Sequence, residues 1–156
     1  MTRLSDHFTT DDLRCHCKAC GGSLRMSLVL VGILEEIRSY YNKRIDILTG
    51  FRCESRLKEL GRSRKSYHGL GKAVDIKITE INSKDLFDFC RNFTPPVKGL
   101  GYYPEGDFVH LDLRETDKRF EFVYFNRAYN ELTQSLAEQY GLKAIETTPV
   151  VATTGQ

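Results

Sequence analysis

No apolar run in the 156 residues is long enough to cross a bilayer. The longest, Leu28-Val29-Leu30-Val31-Gly32-Ile33-Leu34, falls far short of the roughly 20 residues a spanning helix needs. Charge of one sign is not in excess either: 23 Lys and Arg face 21 Asp and Glu, a net charge of +2. That balance gives no reason to expect the basic footprint of a nucleic-acid binder. There is no internal repeat and no low-complexity block. No apolar stretch follows Met1-Thr2-Arg3-Leu4-Ser5-Asp6-His7, so no secretory leader is expected, and synthesis in a cytoplasm is. The five cysteines are an odd number, and without a leader a full disulfide framework is not expected. Apolar residues make up 40% and charged ones 28%, enough for a globular core that needs no staples. The expectation is one monomeric domain over 1–146 and an uncharged, loose tail over 147–156.

Periodicity gives the order of elements. Phe8-Thr9-Thr10-Asp11-Asp12-Leu13 reads as a helix start with a Thr cap and acids in the first turn. Leu30, Leu34, Ile37 and Tyr41 share one face of a helix from Ser27 to about Tyr41. Strands are expected at Ile45-Asp46-Ile47-Leu48-Thr49 and at Ala73-Val74-Asp75-Ile76-Lys77-Ile78, the latter with Val74, Ile76 and Ile78 toward a core. Between them lies a polar, basic loop with a short helix near Leu57-Lys58-Glu59-Leu60-Gly61. A capped helix follows over Ser83 to Phe93. Gly99–Tyr103 and Phe108–Arg114 then form an antiparallel hairpin around Pro104-Glu105-Gly106-Asp107. Phe120–Phe125 adds a strand, and Asn130–Tyr140 reads as a last helix. This order predicts an α+β domain with a small, mostly antiparallel sheet and helices packed on one side.

His68 and Asp75 stand seven residues apart, with Gly69 and Gly71 between them to let the chain turn. His110 lies inside the second strand of the hairpin. Two imidazoles and a carboxylate are natural zinc donors and leave a fourth tetrahedral position open, the arrangement of catalytic zinc. Spacing alone leaves open that these three residues are unrelated.

The element Ser66-x-His68-x-x-Gly71-x-Ala73-x-Asp75, followed by Asp107-x-x-His110, resembles the zinc D-alanyl-D-alanine carboxypeptidase family, whose fold is shared with the hedgehog signalling domain. Leu4-Ser5-Asp6-His7-Phe8, Thr49-Gly50-Phe51-Arg52-Cys53, Gly99-Leu100-Gly101-Tyr102-Tyr103-Pro104 and Phe108–Arg114 are similar to further segments of that family. The resemblance implies a hedgehog/DD-peptidase-like fold and Zn2+ held by His68, Asp75 and His110. It further implies Asp107 as general base, Arg52 pairing a substrate carboxylate, and Ser66 lining the site. The implied activity is hydrolysis of peptidoglycan stem peptides by a zinc-activated water, as carboxypeptidase or endopeptidase, with release to the wall in the manner of a phage lysin. The alternative is a non-catalytic wall-binding or phage structural module on the same fold.

Strand geometry bears on the base. Residues three apart on a regular strand point to opposite faces, so Asp107 serves only from a turn or bulge. Asp112 shares the His110 face, roughly 7 Å along, and parity alone would choose it as base; with the resemblance choosing Asp107, Asp112 takes a supporting or structural part behind His110.

Cys15-x-Cys17-x-x-Cys20, with Cys53, reads equally as a four-thiolate zinc site or as disulfides, with free thiols as the third reading and His16 a substitute ligand. A zinc module built on these thiols and binding a protein partner is a further, weaker alternative. Cys90 reads as a small buried hydrophobe. Arg62-Ser63-Arg64-Lys65 reads first as a solvated loop and second as a rim that attracts acidic peptides, and Tyr102, Tyr103, Phe120, Phe122, Tyr124 and Phe125 read as core and sheet packing.

Overall fold

Val74, Ile76 and Ile78 alternate with polar neighbours, and all three are buried against one side of a sheet. The computed structural model describes residues 1–92 and 96–145. Along the chain run α1 (Thr10–Leu13), α2 (Leu28–Tyr41), β1 (Ile45–Thr49), α3 (Glu54–Glu59), β2 (Ala73–Ile78) and α4 (Ser83–Arg91). They are followed by β3 (Gly99–Tyr103), β4 (Phe108–Asp112), β5 (Phe120–Phe125), β6 (Ala128–Glu131) and α5 (Gln134–Tyr140). The six strands form one sheet in the order β1-β2-β4-β3-β5-β6. Every pairing is antiparallel except β3 with β5. The fold is therefore α+β, with the mostly antiparallel sheet the sequence predicts.

The core fills one face of this sheet. Leu30, Leu34 and Ile37 of α2 and Leu86, Phe87 and Cys90 of α4 pack with Val74, Ile76, Leu100, Val109, Leu111 and Val123. Trimming one such fully buried Leu to Ala costs about 2–5 kcal/mol. The strand parity that sends these side chains inward sends Asp75, His110, Asp112, Tyr103, Phe120 and Phe122 to the opposite face. That second face carries the polar site.

One element differs from the sequence reading. Asn130 and Glu131, expected in the last helix, belong to β6, and the helix starts only at Gln134 behind its Thr133 cap. A two-residue turn, Asn126-Arg127, joins β5 to β6 with both residues at positive φ. Such a turn usually announces itself as Asn-Gly; Arg at the second position hid it. The short helix near Leu57 begins earlier than expected, at Glu54, because Cys53 serves as its N-cap. The tail expected over 147–156, the edge of the domain at 146 and the helix end at Phe93 lie outside the described residues. No helix among the described residues is long and apolar enough to cross a membrane.

Candidate metal centre

Register builds the centre. Asp75 in the middle of β2 pairs directly with His110 in β4, so both side chains leave the same face side by side. His68 arrives from the loop before β2, where Gly71 takes φ +68° and lies against the backbone of Arg25. A Cβ at Gly71 would meet the Arg25 carbonyl oxygen at 2.4 Å, so only glycine makes this turn. His68, Asp75 and His110 are all buried, and one donor atom from each lies within 4.8 Å of the other two.

The hydrogen bonds fix which nitrogen each ring presents. His68 Nδ1 sits 2.9 Å from the carbonyl oxygen of Gly50. A carbonyl only accepts, so Nδ1 carries a proton and Nε2 is the nitrogen turned toward the other two residues. It faces Asp75 Oδ2 at 3.4 Å. His110 is held the other way round: Nδ1 lies 2.8 Å from Asp75 Oδ1, and Nε2 lies 2.9 Å from Asp112 Oδ2. Asp112 is fully buried and accepts from the Arg114 guanidinium at 2.9 and 2.6 Å and from the Arg114 backbone N–H at 3.0 Å. Gly99, across the β3–β4 pair, leaves the room for this carboxylate; a Cβ there would come within 2.2 Å of it.

The charges follow this wiring. Burial alone would lower the His110 pKa, but the Asp112 and Asp75 carboxylates outweigh it and raise it to about 9. Burial would raise Asp75, but hydrogen bonds from His110 and His68 hold it well below the usual carboxylate range. Asp112 is likewise held low against burial by Arg114 and His110.

The donor set suits a metal ion. Donors about 2.05 Å from a tetrahedral ion stand about 3.4 Å from one another, which matches His68 Nε2 and Asp75 Oδ2 at 3.4 Å, while His110 Nδ1 and Asp75 Oδ1 stand closer, at hydrogen-bond distance, 2.8 Å. Two imidazole nitrogens and a carboxylate oxygen gathered in one buried cluster are the donor types zinc takes. Each ring is oriented from its far side by an oxygen, as metal-binding histidines are.

The triad opens into a cleft of about 570 Å³. Arg52 and Ser66, both singled out in the sequence, line it with His68, Asp75 and His110. The Arg52 backbone N–H donates to the His68 carbonyl oxygen at 3.2 Å, and its guanidinium donates to Thr49 Oγ1 at 3.1 Å. Burial pulls the Arg52 pKa down against the opposing pull of Asp75; the side chain stays cationic at physiological pH. Arg62, Lys65 and Arg114 line the same cleft, and Asp75 is its one carboxylate among the described residues.

Asp107 is not brought to the triad. It lies in the turn before β4 at φ +51°. Its carboxylate accepts from Lys77 Nζ at 2.8 Å and from the Ser83 hydroxyl at 2.5 Å. Lys77 first, then Ser83, hold its pKa below the ordinary value. β4 is regular from Phe108 onward, so nothing turns the third residue before His110 onto the His110 face. The face is shared instead by Asp112.

Other residues also line the cleft. Phe122 is buried and packs against Tyr103 and Phe120 as sheet packing would have it, and the same three rings, with Tyr67, Phe108 and Tyr129, also form walls of the cleft. Their strand parity, the same as that of His110, is the signal that could have found them. Arg62 and Lys65 are exposed, as a solvated loop would be, and also line the rim of the cleft, where Arg62 donates to the Tyr129 hydroxyl at 3.3 Å.

A sequence profile of the family described as Peptidase M15 matches residues 6–112, more than half of the chain. The chain belongs to the peptidase M15 family. The matched segment contains every member of the triad and Asp112. The chain is 34% identical over 79 residues to the probable peptidoglycan L,D-endopeptidase MepK of Haemophilus influenzae, covering 46% of this chain and 40% of that protein. It is 32% identical over 75 residues to the peptidoglycan L,D-endopeptidase MepK of Escherichia coli, covering 45% and 40%. The matched region thus spans about two fifths of the length of these curated relatives.

Proposed function

We propose that this M15 chain is a zinc peptidase that hydrolyses peptide bonds in peptidoglycan. The observation that carries the reading is the pair of oriented rings: His68 Nε2 and His110 Nδ1 converge on Asp75 while Gly50 and Asp112 hold their far nitrogens. In this reading His68, Asp75 and His110 hold Zn2+ and leave a fourth position toward the cleft. The ion supplies a lowered water pKa and a polarised carbonyl. Arg52 grips a substrate carboxylate through its planar fork, which a Lys could not do bidentately. The four cations on the cleft favour acid-bearing peptides. The aromatic walls offer flat apolar surface to the peptide beyond the scissile bond. Asp107 pins the β3–β4 turn to Lys77 and α4 rather than taking a proton.

The names of the relatives favour an internal L,D bond over a terminal D-Ala. Incubation with purified sacculi, followed by mass analysis of the muropeptides, tests both points. Cut internal peptide bonds, absent with His68→Ala, are the expected result. Release of D-Ala alone would shift the reading to a carboxypeptidase. A chain that binds zinc and cuts nothing would be a binding module.

A further inference from the structure

Four sulfurs gather outside the cleft. Cys15, Cys17 and Cys20 lie on the loop between α1 and α2, and Cys53 is the N-cap of α3. The four Sγ atoms all lie within 4.8 Å of one another. Cys17 Sγ stands 3.4 Å from Cys53 Sγ and 3.5 Å from Cys20 Sγ. None of the four is in a disulfide. A disulfide would draw two sulfurs to about 2.05 Å and exclude the others. Here one sulfur is nearly equidistant from two. Four thiolates about 2.3 Å from a tetrahedral zinc stand about 3.8 Å apart, which is the kind of cluster observed. His16, between two of the cysteines, is exposed and outside the cluster.

Two surroundings support an ion of this type. The Arg56 backbone N–H donates to Cys53 Sγ at 3.5 Å, a contact that stabilises a charged sulfur. Arg14, Lys18, Arg52 and Arg56 line the cavity that Cys15 and Cys17 also line, so the net negative charge of a tetrathiolate zinc would sit among cations.

We propose that Cys15, Cys17, Cys20 and Cys53 form a second, closed metal site that binds structural Zn2+ and clamps the loop after α1 to the segment before α3. That segment holds the cleft in order. Cys53 follows Arg52 directly. Phe51 N–H donates to the Leu13 carbonyl oxygen at 2.8 Å, and Gly50 supplies the carbonyl that orients His68. The metal site does not depend on the reading of the cleft; its consequence for Arg52 and His68 does.

Metal content of protein purified under reducing conditions tests the proposal. The expected result is two zinc ions per wild-type chain and one per His68→Ala chain. His68→Ala loaded with Co2+ should show intense thiolate-to-cobalt charge-transfer absorption, lost in a His68→Ala/Cys17→Ser/Cys20→Ser variant. The cobalt spectrum of His68→Ala decides the matter alone if that variant does not fold. One zinc per wild-type chain and none in His68→Ala, with no thiolate band, would overturn the proposal and leave the cleft reading standing. A Cys17–Cys53 or Cys17–Cys20 disulfide, found by alkylation and mass spectrometry in freshly purified protein, would overturn it too.

Discussion

Asp112 grips the far nitrogen of His110 at 2.9 Å, and Arg114 in turn grips Asp112 with two guanidinium nitrogens. This chain sets the ring of His110 with Nδ1 toward Asp75. Removing such an orienting partner lowers metal affinity by about 10–100-fold. Asp112→Asn should therefore weaken zinc binding by that factor, read by competition with a chelator of known affinity. Arg114→Ala leaves a fully buried carboxylate with fewer donors and should destabilise the fold by about 3–5 kcal/mol in urea titration.

Gly99 faces this same carboxylate. A methyl group there lies within 2.2 Å of Asp112, and the strand cannot retreat without breaking its pairing with β4. Gly99→Ala should cost about 1–3 kcal/mol of stability, the usual penalty of overpacking. It should also lower zinc affinity, whereas Gly32→Ala, where a Cβ meets nothing within 4 Å, should leave metal binding unchanged.

The raised pKa of His110 has a signed consequence. In metal-free protein its contribution to stability is complete below about pH 6.5, the ordinary His value, and is lost as the pH climbs through about 9. Zinc bound as proposed would take the Nδ1 position and displace that proton. Calorimetry of zinc binding in buffers of different ionisation enthalpy should find about one proton released from His110 at pH 7.5 and a falling number above pH 9. His110→Ala should abolish that release.

Arg52→Lys keeps the charge and loses the fork. A charge-assisted bidentate contact is worth about 1.5–3 kcal/mol, so kcat/KM on carboxylate-bearing stem peptides should fall about tenfold or more. The same substitution should matter little for a substrate whose carboxylate is amidated.

Asp107→Asn separates the two carboxylates that the sequence left in competition. Loss of a general base costs about 10²–10⁴ in rate. The turn position and the Lys77 and Ser83 contacts predict instead a kcat within about threefold of wild type. Stability should fall by no more than about 1 kcal/mol, as for an exposed ion pair.

The triad was legible because its members are chemically distinctive and fall in a dense motif. The sheet was legible because Val74, Ile76 and Ile78 alternate cleanly. The position of Asp107 was harder to read, because parity governs wherever a strand is regular and its side chain goes to Lys77 and Ser83 instead. The partners that orient the rings were harder to read. A backbone carbonyl such as Gly50 has no sequence signature; strand parity already put Asp112 on the His110 face in a supporting part, but its hold on the ring depends on Gly99 and Arg114 beside it. The sequence grouped Cys53 with Cys15, Cys17 and Cys20 but left zinc, disulfides and free thiols open, because the distances among four sulfurs are set only by tertiary folding.

The most direct test is a crystal structure of zinc-loaded protein, with anomalous scattering measured at the zinc edge. The account predicts a peak bonded to His68 Nε2, an Asp75 oxygen and His110 Nδ1, with an open position toward Arg52. A peak on His110 Nε2, or none among these three side chains in protein that cuts peptidoglycan, would contradict it.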